Sequence, residues 1–466
     1  MPEYTPATST QLQPLIWCVI WILTCWIIVS FPHRLDRWAS ISLLFTAGYG
    51  AFKTSADLSP DDTLNEIYTR FILIGGSHIL HLTCKSKGRN GGLREMDHID
   101  AQPCWSPWYR GYKLVFNCRG VATPWEAPYL WRGVKHTWEA DRGLDRPARS
   151  SASQIARLNP SATAAKQDQC SESSSPQTTI PSDAHKSQPP RLFKQGRWAA
   201  VATRIAYFVL NFILLSCAYE FLNPSTLFDI VPNPSTDYTR EKEGILRRFI
   251  LQFFFPHSKY TLLTAPTPVT TREIKLRIFL ALEYVVGDYL LLSLYTDFFA
   301  ILWLSLGIDE PWEFPPFFGD ITEAYTMRRF WNMFWHRVIY RSFNAHAALI
   351  SRYVLRMRQR TPVTRVINGL LVFGISAVMH AMVSARFGNS CAWGRSMLYW
   401  MWQPMAFVLE DTVQAGWRRG LRSKVRRVLG ESGVRVLGRG VGYLWVVSWM
   451  VWEAPKRTFA LATCKT

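Results

Sequence analysis

The sequence predicts an all-α fold: a polytopic transmembrane helical bundle of about seven to nine spans with a disordered polar loop. Three observations carry this. Several separate apolar runs approach the roughly 20 residues that a helix needs to cross a bilayer. Aromatic residues make up 14% of the chain, and 21 of them are tryptophan, a side chain that gathers at the level of the lipid headgroups. Charged residues are only 19%, yet the net charge is +19, with lysine and arginine concentrated beside the apolar runs. That placement fits loops at an anionic membrane surface. No zinc finger, basic zipper or aromatic single-strand platform accompanies the charge, so the expected partner is the lipid bilayer and not nucleic acid.

The N-terminal unit, residues 1–84, opens with the run Leu12–Phe31. It has no basic lead-in and no small-residue cleavage pattern, so it reads as a retained first span and not a removed signal peptide. Weaker spans follow at Ile41–Phe52 and Ile67–Thr83. Residues 85–140 are polar but carry tryptophans and prolines, which predicts a partly ordered cytosolic segment. Residues 141–195 include ten serines between Ser150 and Ser187 and few aromatics. Too little apolar surface is present to offset ordering entropy, so this stretch is expected to be a disordered loop.

The remaining unit, residues 196–466, is expected to form the multi-span core. Its clearest spans are Ala199–Leu222, Val366–Ala385 and Cys391–Leu409, with a weaker one at Val441–Trp452. Ile278–Ile308 is apolar throughout, long enough for one tilted helix or two tightly joined ones. Arg352–Arg365 holds five arginines and no acid, and Arg418–Arg439 holds eight basic residues against one acid. Both are expected on the cytosolic side, as is the basic Lys85–Arg197 loop, which leaves Asn223–Arg277 lumenal. No internal repeat is visible, and repeats are the usual mark of a transporter. The nine cysteines include no C-x-x-C pair and several sit in or beside apolar runs. They are expected to be reduced residues and not a disulfide framework or zinc site.

Two constellations carry chemistry. His380 sits deep in a strong span, where an ionisable residue is costly. Gly369, Ser376, His380 and Ser384 fall on one helical face, small and polar enough to meet protein or water but not lipid. A neutral imidazole there can take a proton from a hydroxyl, and the same spacing suits a packing histidine bonded to a neighbouring helix. The second constellation is Met327-Arg-Arg-Phe-Trp-Asn-Met-Phe-Trp-His336-Arg337. Phe330, Trp331, Phe334 and Trp335 form an aromatic stripe at helical spacing, flanked by Arg328, Arg329, Arg337 and Arg341. It reads either as an amphipathic helix at the membrane interface or as the wall of a reaction site into which His336 points. Among weaker features, His78 and His81 lack a nearby carboxylate, so no metal is expected. Glu283 and Asp288 lie inside the long apolar run, where they mark a polar path or pair with arginines.

Three passages resemble the wax-synthase-like branch of the membrane-bound O-acyltransferases. Arg328-Arg-Phe-Trp-Asn-Met-Phe-Trp-His336 is similar to that family's R-D-F-W-G-R-R-W-[HN] signature. Phe373-Gly-Ile-Ser-Ala-Val-Met-His380-Ala is similar to its S-x-x-x-H intramembrane helix. Asn117-Cys-Arg-Gly-Val-Ala-Thr-Pro-Trp125-Glu is similar to the N-x-R-G-[IV]-[GA]-x-x-W segment of fungal members. Fungal members acetylate hydroxyls of terpenoid and meroterpenoid products. The resemblance implies that His380 is the catalytic histidine and that His336 fills the second polar position. It also implies that Trp335, Trp331, Phe330 and Ser376 line the substrates. The sequence departs from the signature at Arg329, Asn332, Met333 and Phe334. If the family's paired arginines bind the anionic donor, Arg328 or Arg337 must serve here.

The expected activity is therefore acetyl transfer from acetyl-CoA, as co-substrate, to a hydroxyl of an apolar small molecule in an endoplasmic reticulum membrane, with His380 as general base and no metal. A long-chain wax or sterol ester synthase and a non-enzymatic multispan transporter are the alternatives.

Overall fold

The computed structural model describes residues 9–32, 34–84, 106–121, 123, 126–127, 196–221, 223–254, 267–388, 391 and 393–465. The serine-rich segment expected to be disordered lies outside the described residues. Within them the regular structure is helical: α1 (Ser9–Ser30), α2 (Arg37–Thr54), α3 (Asp62–Cys84), α4 (Pro107–Val115), α5 (Arg197–Phe221), α6 (Thr271–Ser305), α7 (Tyr340–Leu349), α8 (Pro362–Arg386), α9 (Trp393–Gly416), α10 (Arg422–Glu453) and α11 (Pro455–Lys465). Short helices occupy much of 224–254 between α5 and α6.

Four helices are long and apolar enough to cross a membrane, within Leu12–Ser30, Arg197–Phe221, Thr271–Ser305 and Pro362–Arg386. This is fewer than the seven to nine spans expected. The other expected spans form helices, but their apolar runs are diluted. α9, counted among the clear spans from sequence, carries Arg395, Gln403, Pro404, Glu410 and Asp411. α10 joins a basic first half to an apolar second half and kinks at Gly430, where φ is +67°. The long run Ile278–Ile308 resolves as one helix, α6, that passes through a π-turn at Glu283–Gly287.

α1, α2 and α3 pack around Trp21, Cys25, Ile28, Leu44, Ile72 and Ile79. A second core gathers Phe330, Phe334 and Trp335 with Ala406, Val446, Trp449 and Met450. One polar pair joins two of the apolar helices, as is favoured where water is absent. Arg204 of α5 meets Asp297 of α6 at 2.8 Å, and Asn211 bonds the second carboxylate oxygen. Sequence reading singled out Glu283 and Asp288 in α6 but not Asp297, because its partner lies 93 residues away. Cys391 is disulfide-bonded, which corrects the expectation of uniformly reduced cysteines; it lies exposed in the turn between α8 and α9. Cys18, Cys25, Cys84, Cys118 and Cys217 are free.

Outside the spans, α4 binds the loop that follows α6. Ser106 caps α4 and Pro107 starts it, both favoured at a helix N-terminus. Lys113 is buried and bonds Asp309 at 2.6 Å and Glu313 at 2.5 Å, while the Tyr112 hydroxyl donates to Asp309 at 2.6 Å. Removing the cation leaves two buried carboxylates facing each other, a change that typically costs about 3–5 kcal/mol. Lys113→Met is therefore expected to lower the thermal midpoint of the detergent-solubilised protein well below that of wild type.

Candidate active site

The segment from Thr326 to Arg337 is the wall of the site. Thr326 caps it through the Arg329 amide. The buried carboxylate of Glu410, on α9, accepts from the amides of Met327 and Arg328 and from the Trp445 indole at 2.9 Å. Anionic groups favour such helix starts. One turn later the backbone widens into a π-turn over Phe330–Phe334 and becomes extended at Trp335. Gly319 donates its amide to the Phe334 carbonyl at 2.7 Å, and a β-carbon at Gly319 would overlap the Met333 carbonyl. Phe330, Phe334 and Trp335 are at most 4% exposed. The interfacial-helix alternative is thereby excluded: this aromatic stripe is core.

His380 lies flat on Trp400, ring centroids 4.1 Å apart and planes 9° from parallel. Trp400 approaches Trp331 at 6.0 Å, Trp331 meets Trp335 at 5.7 Å, and Trp335 meets His336 at 5.7 Å. A continuous run of rings thus joins the two histidines. Tyr284 stacks on Trp335 at 5.7 Å and turns its edge toward Tyr399 at 6.2 Å. Gln403 locks the wall. Its carbonyl oxygen accepts from the indoles of Trp331 and Trp449, each at 3.2 Å, and its amide donates to the Tyr399 carbonyl. Ser376 is buried one turn before His380 on α8.

The third motif is carried to the same place. Asn117 closes its loop by two bonds to Val121, with Gly120 at φ +68°. Arg119 donates to the carbonyls of Pro315 and Pro316 and lies over the Phe317 ring, which packs against His336 at 5.5 Å. Trp125 lies outside the described residues. Burial first, then the positive charge of Arg119, pushes the His336 pKa down to about 4, so this imidazole is neutral near pH 7. Its Nδ1 and the Trp400 indole nitrogen are buried without a hydrogen-bond partner. Unsatisfied buried groups are rare and mark places where a ligand or water belongs.

The arginines fall elsewhere. Arg328 is half-exposed, pairs with Asp411 at 2.6 Å and lies over Phe407, two turns along α9 from Trp400. Arg337 is buried, stacks 3.9 Å from the Tyr340 ring and bonds the Asn332 carbonyl, so it braces the turn. Arg329 pairs with Glu323. His78 bonds the Leu114 carbonyl and His81 packs against His346; among the described residues no group of three His, Cys, Asp or Glu side chains could hold a metal.

Residues 314–407 match the membrane bound O-acyl transferase family, and this stretch runs from the Phe314–Phe318 loop through His336 and His380 to the end of the ring wall. Over this stretch the chain is similar to that family. Acetyltransferase ataH of Aspergillus terreus is 33% identical over 158 residues, 34% of this chain and 50% of that protein. Acetyltransferase TRI7 of Fusarium sporotrichioides is 24% identical over 461 residues, 96% of this chain and 85% of that protein. Acetyltransferase atnC of an Arthrinium species is 29% identical over 205 residues, 44% of this chain and 45% of that protein. The chain thus spans about half the length of two of these relatives. No solved structure matches it.

Gln403 was not singled out from sequence, because nothing in its neighbourhood announces two indoles 72 and 46 residues away. Gln403→Leu strips both buried indole N–H groups of their acceptor, at about 1–3 kcal/mol each. Expected outcomes are a lower thermal midpoint and a shift in tryptophan fluorescence, both measured on the solubilised protein.

Proposed function

We propose that this protein is a membrane O-acetyltransferase that moves an acetyl group from acetyl-CoA to a hydroxyl of an apolar terpenoid or meroterpenoid in fungal specialised metabolism. The observation that carries the reading is the His380–Trp400 stack, held inside the segment that matches the acyltransferase family. The names of the relatives support acetyl as the group transferred. His380 is the general base. As it takes the acceptor's hydroxyl proton, the oxygen attacks the thioester carbonyl and a tetrahedral oxyanion forms. The carbon–sulfur bond then breaks, the ester is released, and the imidazolium returns its proton to the CoA thiolate. Trp400 fixes the plane of the imidazole, and the rings of Trp331, Trp335 and Phe330 hold both substrates close, which supplies proximity.

The polyanionic donor approaches from the basic face that includes Arg328 and the Arg418–Arg439 segment, and the apolar acceptor approaches from the bilayer. The enzyme is multi-pass, resides in the endoplasmic reticulum and needs no metal. The test compares microsomes expressing wild type and His380→Ala at matched protein levels, supplied with labelled acetyl-CoA or palmitoyl-CoA and a panel of hydroxylated terpenoids. Acetyl ester is expected from wild type and is reduced by about 10²-fold or more in the variant. Equal product from both removes His380 from the mechanism. A preference for palmitoyl-CoA moves the assignment to long-chain ester synthesis, and no ester from either donor rejects the reading.

A further inference from the structure

At the Tyr284 end of the ring wall stand two opposite charges that are not paired with each other. Arg457, near the start of α11, places its guanidinium carbon 5.2 Å from the Tyr284 ring centroid. Among the described residues its side chain makes no salt bridge and no hydrogen bond. Asp288 lies on α6 immediately after the π-turn that contains Tyr284. It follows by one helical turn the tyrosine whose ring Arg457 covers, and among the described residues no salt bridge joins the two. Among the described residues the Asp288 carboxylate has no hydrogen-bonded partner either. The other charged groups in reach do not fill the gap: Glu66 is held by Arg70 at 2.5 Å, and Glu283 is exposed.

Buried or half-buried charges normally find partners. An opposed pair held apart leaves both short of bonds, and a bridging ligand oxygen restores them. We propose that Arg457 and Asp288 form the acceptor-recognition end of the site and bind a second oxygen function, a carbonyl or hydroxyl, on the molecule whose hydroxyl is acetylated. Arg457 donates to that oxygen, and Asp288 accepts from a hydroxyl. This inference rests on the acetyltransferase reading and sharpens it: the acceptor is an apolar scaffold oxygenated at two or more positions, not a plain long-chain alcohol. The donor is a poorer fit here, because Asp288, Glu283 and Glu66 repel its phosphates. Arg329 and Arg439, 4.4 and 5.3 Å from the Tyr325 ring centroid, belong with Arg328 to a different, basic rim.

The experiment measures steady-state kinetics of full-length wild type, Arg457→Lys, Arg457→Ala and Asp288→Asn in microsomes. The acceptors are a terpenoid diol and its deoxy analogue that keeps only the acetylated hydroxyl. Wild type is expected to prefer the diol. Arg457→Ala and Asp288→Asn are expected to raise the diol KM roughly ten-fold, the effect of losing a hydrogen bond to a charged group. They should leave the KM for acetyl-CoA unchanged and erase the preference over the deoxy analogue, with Arg457→Lys retaining part of it. A merely structural role would lower active protein without changing that preference. An unchanged preference in the variants overturns the proposal, and so does a raised KM for acetyl-CoA with the acceptor KM unmoved; both leave acetyl transfer itself intact. Absence of ester from wild type with either acceptor rejects instead the acetyltransferase reading on which the proposal rests.

Discussion

His380 lies flat against Trp400, that ring meets Trp331, and Trp331 is held by the residue one turn beyond Trp400 on the same helix. Gln403 is fully buried and carries two indole N–H groups on one carbonyl oxygen. In a bilayer such an amide has no water to fall back on, so its bonds are either all made inside the protein or lost. The bonds fix Trp331 from one side and Trp449 from the other. The ring wall between the two histidines is then a set of flat surfaces with few alternative packings, which is what a site needs if the base is to meet a hydroxyl at a set angle.

That wall is built from irregular backbone. The π-turn at Phe330–Phe334 and the extended step at Trp335 would be costly against lipid, but here they are enclosed by protein. Their supports lie at the two ends of the segment. Glu410 holds the start of the segment through its amides, and Gly319 holds its end. Outside, the Lys113–Asp309–Glu313 cluster ties α4 to the loop after α6, and Arg119 grips that loop's carbonyls and the ring that touches His336. The segment around Asn117 therefore reaches the site through Phe317, whose ring packs against His336.

Much of this was legible in the sequence, and the reasons are physical. Apolar runs revealed the helices, because length and hydropathy are local properties. Stripe spacing put Ser376 and His380 on one face, and the family resemblance pointed to His336. What stayed hidden depended on partners far along the chain. Arg328 and Arg337 look alike in the sequence, yet one sits on a half-exposed rim and the other is buried and braces its own turn. The aromatic stripe fitted an interfacial helix as well as a core, and only burial by α6, α9 and α10 decides between them. Four of the expected spans meet the length and hydropathy of a crossing helix, whereas α9 and α10 mix apolar stretches with charges whose partners a sequence does not display. Asp288 was noticed, but its unpaired standing opposite Arg457 needed coordinates.

The central claim, that His380 takes the proton from an acceptor hydroxyl beside a thioester, is tested most directly by a structure with a non-reactive acetyl-CoA analogue and an acceptor bound together. The account predicts the acceptor hydroxyl within about 2.6–3.2 Å of an imidazole nitrogen of His380, the range required for proton transfer, with the thioester carbonyl carbon next to that oxygen. A complex in which donor and acceptor meet away from the His380–Trp400 stack would contradict it.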